Sequence, residues 1–325
     1  MRFVVFGAGA IGGVVGGQLF GAGHPVTLVA RGAHLAKLRS QGLRLESPAG
    51  VEVMPVPAVG HPAEVDWSDE HVVLLTAKSQ QTQAALVALA IEAPATTPIV
   101  CLQNGIANEP AALRLFPHVY GGSVACPTSY LEPGVVRAWA SPVTGLLDVG
   151  RYPHGSDETS EAIVAAFASA TFDARSVTDI RRWKHRKLLT NLGNAIEAVC
   201  GPAARRGELG ELLLREGEAV LEAAGLDAAT AAEDRDRRSD LLHVATISDA
   251  ARPGGSTWQS LHRNTGDVET DYLNGEVVML GRMHSVPTPA NTLMQHLSLE
   301  CASGRRSPCS VPEADILREL DQQSQ

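Results

Sequence analysis

Glycines at the start of the chain have the spacing of a phosphate-binding turn. A short apolar run, residues 2 to 6, leads into Gly7-x-Gly9-x-x-Gly12 and then into a helical pattern. In such a turn the first glycine permits the bend, the second lets the backbone approach a pyrophosphate, and the third lets the helix pack on the strand. The start of that helix, Ala10 and Ile11, then holds the phosphates. The pattern predicts a dinucleotide site, and a glycine-rich turn without a ligand is the alternative.

The end of the second predicted strand indicates which dinucleotide would bind. An acidic residue at this place usually bonds the ribose hydroxyls of NAD, but this chain has Ala30-Arg31 after the strand 25–29. A guanidinium can hold a 2′-phosphate through paired charge-assisted hydrogen bonds. Arg31 therefore favours NADP over NAD, and an ordinary solvated loop arginine is the alternative.

A second group of polar residues falls on a long apolar helix predicted over Asp179 to Cys200. Lys187, Asn191 and Asn194 stand at positions i, i+4 and i+7 of this helix, a spacing that places them on one face. Polar side chains in register suggest a lined cleft, because burying a lone ammonium without a partner is costly. A solvated helix face remains the alternative.

The elements that must position these residues follow an α/β order and then a helical one. Residues 1–176 alternate apolar strands with helices, which predicts a mostly parallel sheet covered by helices, with antiparallel strands from about residue 121 to 150 finishing it. Lys78 and the run Gln103-Asn104-Gly105 follow two of the strands, where ligands of such sheets bind. Residues 177–303 predict an all-helical domain, and residues 304–325 a loose tail or a short amphipathic helix. Beyond the helix 179–200, helices are predicted over 208–224, 228–249, 267–284 and 291–301.

Composition limits the class of protein. The 325 residues suit two domains, and the net charge of −9, from 27 basic and 36 acidic residues, argues against a nucleic-acid surface. Five scattered cysteines show no ligand spacing, which predicts reduced thiols and no metal site. The chain begins directly with a strand and contains no stretch of about 20 apolar residues. We therefore expect a cytoplasmic protein without membrane contact, and a homodimer is left open.

Seven motifs together resemble the ketopantoate reductase family over about 300 residues. They are Gly7-Ala8-Gly9-Ala10-Ile11-Gly12, Lys78-Ser79-Gln80, Gln103-Asn104-Gly105, the run 183–191, Ser256-Thr257-Trp258-Gln259, the run 269–275, and Val286-Pro287-Thr288-Pro289-x-Asn291. The resemblance implies an N-terminal Rossmann domain, a C-terminal helical domain and NADPH-dependent reduction of 2-dehydropantoate to (R)-pantoate, a step toward pantothenate and coenzyme A. The implied partner is a small anionic 2-oxo acid, held in a cleft between the domains.

The resemblance also implies roles for single residues. Lys187 is similar to the catalytic lysine, which stabilises the developing alkoxide and donates the proton. Glu269 resembles an active-site glutamate that would keep this lysine charged. The remaining matches are substrate-binding residues (Asn104, Asn191, Asn194 and Ser256) and cofactor-binding residues (Lys78 and Asn104, beside the glycine turn and Arg31).

Departures from the family pattern concern the substrate. Ser260 stands where the family usually has aspartate, the second helix asparagine is Asn194 rather than residue 195, and the strand around Val136 lacks a histidine often present. A paralogous reductase of another 2-oxo acid therefore stays open, as does a catalytically silent NADP-binding protein. An opine-type dehydrogenase would need a catalytic histidine site, a context that neither His185 nor His243 has.

Overall fold

Two compact units make up the chain. The computed structural model describes residues 1–248, 250 and 252–323. The first unit, called the sheet unit, comprises Met1–Gln103, Ala107–Lys184 and Ala231–Arg252, and the second, called the helical unit, comprises Asn104–Ile106, His185–Thr230 and Pro253–Gln325. The domain limits at residues 176 and 303 stay predictions.

All strands in the described part of the chain belong to the sheet unit. In chain order they are β1 (Arg2–Phe6), β2 (Val26–Val29), β3 (Leu43–Ser47), β4 (Gly50–Met54), β5 (Ala58–Val59), β6 (His71–Leu75), β7 (Ile99–Cys101), β8 (Val119–Ala125), β9 (Thr128–Glu132), β10 (Val135–Ala138), β11 (Ala140–Pro142), β12 (Gly145–Arg151), β13 (Phe172–Ser176) and β14 (Leu242–Val244). The main sheet has the order β13-β12-β8-β7-β6-β1-β2-β5. Every neighbouring pair is parallel except β12 with β8. The predicted mostly parallel α/β sheet is confirmed.

Helices cover both faces of this sheet and build the second unit. They are α1 (Ala10–Gly21), α2 (Gly32–Gln41), α3 (Thr82–Glu92), α4 (Asn108–Leu113), α5 (Glu158–Ser169), α6 (Ile180–Asn191), α7 (Gly193–Val199), α8 (Glu208–Ala223), α9 (Ala231–Arg238), α10 (Ser256–His262), α11 (Asn274–His284), α12 (Pro289–Ser303) and α13 (Glu313–Gln323). Short 3-10 helices occupy Pro62–Glu64, Ser79–Gln81, Ala204–Arg206, Ser239–Leu241 and Glu269–Tyr272. None of the described helices is long and apolar enough to cross a membrane.

The central strands are apolar throughout because both faces of the sheet are buried. Val5, Leu74 and Val100 belong to one hydrophobic core, whereas Val4 and Val73 belong to the core on the opposite face. Successive side chains of a strand point to opposite faces, so a doubly covered strand shows no polar alternation. Because β7, β6 and β1 are parallel neighbours, their carboxyl ends lie side by side. Gly7, Lys78 and Asn104 follow these three ends in the sequence.

The hairpin after β8 was predicted to finish the main sheet, and that is wrong for β9 and β10. These strands form a separate sheet of order β4-β3-β10-β9. The reason is packing on α1, since a Cβ added to Gly13 of that helix would lie 2.6 Å from Cγ1 of Val136. The strand β10 thus covers the first helix and pairs with β3.

The described elements of the helical unit are all helices, as predicted. Its core includes Leu188, Leu192 and Ile196 from α6 to α7, packed with Leu213 of α8 and Val277 of α11. The last helix, α13, buries Ile316 and Leu320. Of the two predictions for residues 304–325, a loose tail or a short amphipathic helix, this segment therefore follows the helical one.

Two predicted helices differ from the structure. The helix expected over 228–249 ends at Arg238, and Leu242–Val244 instead pairs antiparallel with β11. This segment returns to the sheet unit, where buried Arg237 bonds both carboxylate oxygens of Asp148. Position 249 lies outside the described residues. The helix expected over 267–284 is a 3-10 turn, Glu269–Tyr272, followed by α11.

Candidate active site

The glycine-rich turn joins β1 to α1 as its spacing predicts. Gly7 has φ +112°, and a Cβ there would lie 2.6 Å from the backbone nitrogen of Ala77. A Cβ on Gly12 would lie 2.2 Å from the carbonyl oxygen of Gly7, so the helix packs directly on the turn. Around Gly9, by contrast, a Cβ would meet nothing within 4 Å. The first and third glycines are thus required by packing, while the second faces space that a ligand could enter.

Two side chains hold this turn in place. The hydroxyl of Thr76 donates to the Gly7 carbonyl at 2.8 Å. Nδ1 of His34 accepts from the Gly134 N–H at 2.9 Å, so its Nε2 carries the proton and donates to the Ala8 carbonyl at 2.7 Å. Burial lowers the pKa of His34, which keeps the ring in this neutral form. Sequence reasoning missed His34, because its partners stand 26 and 100 residues away.

The first helical turn and Arg31 occupy the positions expected for a cofactor site. Ala10 and Ile11 begin α1 after Gly9, where backbone N–H groups have no acceptor within the helix. Arg31 follows β2, precedes the first residue of α2 and is exposed. Its guanidinium is therefore accessible to a ligand.

A buried polar network fixes the loop that carries Lys78. Nε2 of Gln103 donates to the Ala77 carbonyl at 2.6 Å and to the Thr82 hydroxyl at 2.7 Å. That hydroxyl donates to Oδ1 of Asn108, whose Nδ2 donates to the Ser79 hydroxyl at 3.1 Å. The residues on both sides of Lys78 are therefore held, and Lys78 itself is half-buried.

The sheet unit also contains a buried ion pair that the sequence did not predict. Lys184, 4 % exposed, pairs with Glu109, 1 % exposed, and its Nζ donates to the Gln103 carbonyl at 3.0 Å. Burial raises the pKa of Glu109, an effect that the ammonium opposes. The pair therefore fixes the backbone of Gln103, directly before Asn104.

In the helical unit two predicted substrate residues meet. Nδ2 of Asn191 donates to Oδ1 of Asn104 at 2.9 Å. Asn191 is buried and Asn104 is half-buried. A Cβ on Gly105 would lie 2.8 Å from the Tyr272 carbonyl, so the segment 104–106 packs closely against the backbone of this unit. Lys187, half-buried, lies on the same helix as Asn191, one turn earlier.

The single helix predicted over 179–200 is wrong at Leu192, where α6 and α7 separate. The Leu192 N–H bonds the Leu189 carbonyl at 3.3 Å, a tighter turn than an α-helix makes. The Leu192 carbonyl also accepts from Nδ2 of Asn274 at 3.3 Å. Asn194, which is buried, therefore lies on a different helix from Lys187 and Asn191. The prediction that all three share one helix face is wrong for Asn194.

Ser256 and Glu269 also lie in the helical unit. Ser256 is the first residue of α10 and half-buried. A Cβ on the preceding Gly255 would lie 3.7 Å from Oδ1 of Asn194, so the structure brings Asn194 close to the start of α10. Glu269 begins the 3-10 turn before α11 and is buried. The pairing of Glu269 with Lys187 stays a prediction.

Each unit thus has a separate chemical capacity. The sheet unit offers a glycine-rich turn and an exposed arginine for an anionic dinucleotide. The helical unit contains the amide, hydroxyl, carboxylate and ammonium side chains predicted to bind a small polar substrate. Among the described residues no three His, Cys, Asp or Glu side chains are grouped to hold a metal ion.

A doubly wound sheet with this turn, followed by a helical unit, defines a dinucleotide-dependent class of oxidoreductases. The chain belongs to the ketopantoate reductase family. The model described as "Ketopantoate reductase PanE/ApbA" matches residues 3–153, and that of its C-terminal part matches residues 179–300. The resemblance drawn from the motifs is confirmed, and the chain is an oxidoreductase of the type that acts on CH–OH groups.

Individual relatives agree over nearly the whole chain. A 2-dehydropantoate 2-reductase from Pyrococcus horikoshii is 28% identical over 298 residues, which cover 90% of this chain and 95% of the relative. One from Halobacterium salinarum is 29% identical and covers 89% and 95% of the two chains. The crystal structure of a PanE/ApbA family ketopantoate reductase from Ralstonia eutropha has a TM-score of 0.78 at 29% identity, over 94% of this chain and 100% of the other.

Proposed function

We propose that this protein reduces 2-dehydropantoate to (R)-pantoate with NADPH, a step toward pantothenate. The observation that carries the proposal is the hydrogen bond from Asn191 to Asn104. Asn191 lies on the same helix as Lys187. The bond joins two of the residues predicted to bind substrate. The names of the relatives from Pyrococcus and Halobacterium support the same substrate.

The sheet unit would bind the cofactor. The proposed contacts are the glycine turn (Gly7, Gly9, Ala10, Ile11 and Gly12) with the pyrophosphate, Arg31 with the 2′-phosphate, and Lys78 and Asn104 with the nicotinamide end. The open space at Gly9 fits close approach of a phosphate. The absence of a carboxylate after β2 supports NADPH over NADH.

The helical unit would supply the substrate groups and the proton. Bound NADPH supplies a hydride to the keto carbon. As the carbonyl oxygen becomes an alkoxide, the ammonium of Lys187 stabilises it and donates the proton. Glu269 favours the charged form of Lys187. The substrate carboxylate would be bound by Ser256 and its other polar groups by Asn191 and Asn194.

Activity assays test this proposal directly. Purified protein is given NADPH or NADH with ketopantoate and with a panel of other 2-oxo acids, and cofactor absorbance is followed. Loss of a general acid typically lowers the rate about 10²- to 10⁴-fold, which is the result expected for Lys187→Ala. The exposed Lys37 on α2 provides a matched control, and Lys37→Ala should keep full activity. Turnover that survives Lys187→Ala would refute the assignment of the proton donor.

A reductase of another 2-oxo acid is the second candidate. Ser260 is buried and donates its hydroxyl to the Ser256 carbonyl at 3.0 Å. The family pattern has a carboxylate there, which when ionised could not donate this bond. The environment of Ser256 is consequently less acidic, and a different acyl group could bind. Turnover with another 2-oxo acid but not ketopantoate would favour this candidate, and NADPH binding without turnover would favour a silent binding protein.

A further inference from the structure

Arg205 lies across the break between α6 and α7. Its Nη2 donates to the carbonyl of Thr190, the residue before Asn191, at 2.9 Å. A Cβ added to Gly193, just after the break, would lie 3.0 Å from Cγ of Arg205. A cation at the C-terminal end of a helix is favourable, because the last carbonyl groups there lack partners within the helix. The arginine thus supports the end of the helix that carries Lys187 and Asn191.

Glu197 of α7 connects this arginine to the other side of the helical unit. Oε2 of Glu197 accepts from Nη1 of Arg205 at 2.8 Å. Its Oε1 accepts from the Gly255 N–H at 2.8 Å, and Gly255 immediately precedes Ser256. The Glu197 side chain is only 13 % exposed, so water competes weakly for these charge-assisted bonds.

A continuous series of hydrogen bonds therefore runs from one segment to the other. It leads from the Thr190 carbonyl through Arg205 and Glu197 to the Gly255 amide. Its two end residues, Thr190 and Gly255, directly precede Asn191 and Ser256 in the chain. Neither Arg205 nor Glu197 belongs to one of the seven motifs, and their spacing of eight residues does not predict that they form an ion pair.

We propose that Arg205 and Glu197 are a positioning pair, which sets the placement of Ser256 relative to Lys187 and Asn191. The inference rests on the proposed function, in which those three residues act on one substrate. Neither member of the pair touches the reacting atoms. Loss of either should misplace the carboxylate-binding serine and leave the glycine turn of the sheet unit unchanged.

Kinetics of single and double variants test the pair. Glu197→Ala and Arg205→Ala should each raise the KM for ketopantoate about tenfold, as expected for the loss of one well-formed hydrogen bond, with an unchanged KM for NADPH. Because each residue acts through the other, the KM of the double variant for ketopantoate should be no higher than that of the more impaired single variant. Arg206→Ala, the exposed neighbour in the same 3-10 turn, should match the wild type. A merely structural role would instead lower the melting temperature and leave the KM of the folded enzyme unchanged.

A conservative variant and an exchange measurement complete the test. Glu197→Gln keeps an acceptor for Gly255 but places an amide NH2 against Arg205, so its KM should fall between those of the wild type and Glu197→Ala. Hydrogen exchange at the Gly255 amide should accelerate in Glu197→Ala and stay unchanged in Arg206→Ala. If the wild type reduces no 2-oxo acid, the proposed function fails while exchange still tests the pair. Additive effects in the double variant, or unchanged exchange at Gly255, would overturn the inference.

Discussion

The amide of Asn191, on a helix of the helical unit, donates a hydrogen bond to Oδ1 of Asn104 at 2.9 Å. Asn104 comes one residue after Gln103, whose side chain fixes the Ala77 carbonyl beside Lys78. Gln103 thus bonds the loop that carries Lys78, whereas the next residue, Asn104, bonds Asn191. Mutations at these two neighbouring positions should have different kinetic signatures.

We expect Asn191→Leu and Asn104→Ala to be coupled. Each removes one partner of the same bond and should lower kcat/KM for ketopantoate about tenfold, the equivalent of about 1.4 kcal/mol. A double-mutant cycle should return a coupling free energy of about 1 kcal/mol. Independent, additive losses would show that the bond does not contribute to catalysis.

Arg31→Ala should change the cofactor preference and little else. Loss of charge-assisted hydrogen bonds to a phosphate costs about 1.5–3 kcal/mol, so the Kd for NADPH should rise about ten- to hundredfold. The Kd for NADH, which lacks the 2′-phosphate, should stay constant. Titration of both cofactors by fluorescence measures the ratio, with Lys37→Ala as the control. An equal loss for both cofactors would remove Arg31 from the 2′-phosphate site.

His34 should make stability dependent on pH. Burial lowers its pKa below the ordinary value of 6.5 in the folded protein, so the unfolded chain binds more protons as the pH falls. The stabilisation is therefore complete above about pH 6.5 and is lost as the pH falls through the folded pKa. Urea unfolding between pH 5 and 8 measures this slope for the wild type and for His34→Gln. Gln can donate to Ala8 and accept from Gly134 without titrating, so the variant should show a flatter profile, and equal slopes would contradict the prediction.

The ion pair of Lys184 and Glu109 should stabilise the fold only as a pair. Lys184→Met leaves a buried carboxylate unpaired and should lower the free energy of unfolding by about 3–5 kcal/mol. Adding Glu109→Gln removes that charge and should recover part of the loss. Urea denaturation of the single and double variants measures both steps. A double variant less stable than Lys184→Met would contradict this explanation.

The sequence was sufficient for the elements whose causes are local. The turn at Gly7 and the strands β6 and β7 follow from glycine spacing and from apolar runs buried on both faces. The break at Leu192 could not be predicted from its neighbours along the chain, and the Asn274 side chain that bonds the Leu192 carbonyl comes 82 residues later. The strand β14 was missed for a similar reason, since its three residues pair with β11 about 100 positions earlier.

The same distinction applies to the candidate site. Residues such as Lys187 and Ser256 stand within recognisable motifs, and their neighbours along the chain identify them. The side chains that support the predicted site segments stand outside those motifs. His34, Lys184 and Arg205 bond the carbonyls of Ala8, Gln103 and Thr190, which lie 26, 81 and 15 residues away in the sequence. A backbone carbonyl carries no signature of its residue type, so such partners become visible only in three dimensions.

The division of the chain into units limits how the protein can be recombined. Asn104–Ile106 belongs to the helical unit although it leaves a strand of the sheet, and Ala231–Arg252 returns to the sheet unit. A fragment ending near residue 176 would carry Asn104 without Asn191, and the complementary fragment would carry Arg237 without Asp148. Each half would expose a polar group whose partner is encoded in the other. A chimera that exchanges halves with a relative must therefore graft these two short segments as well.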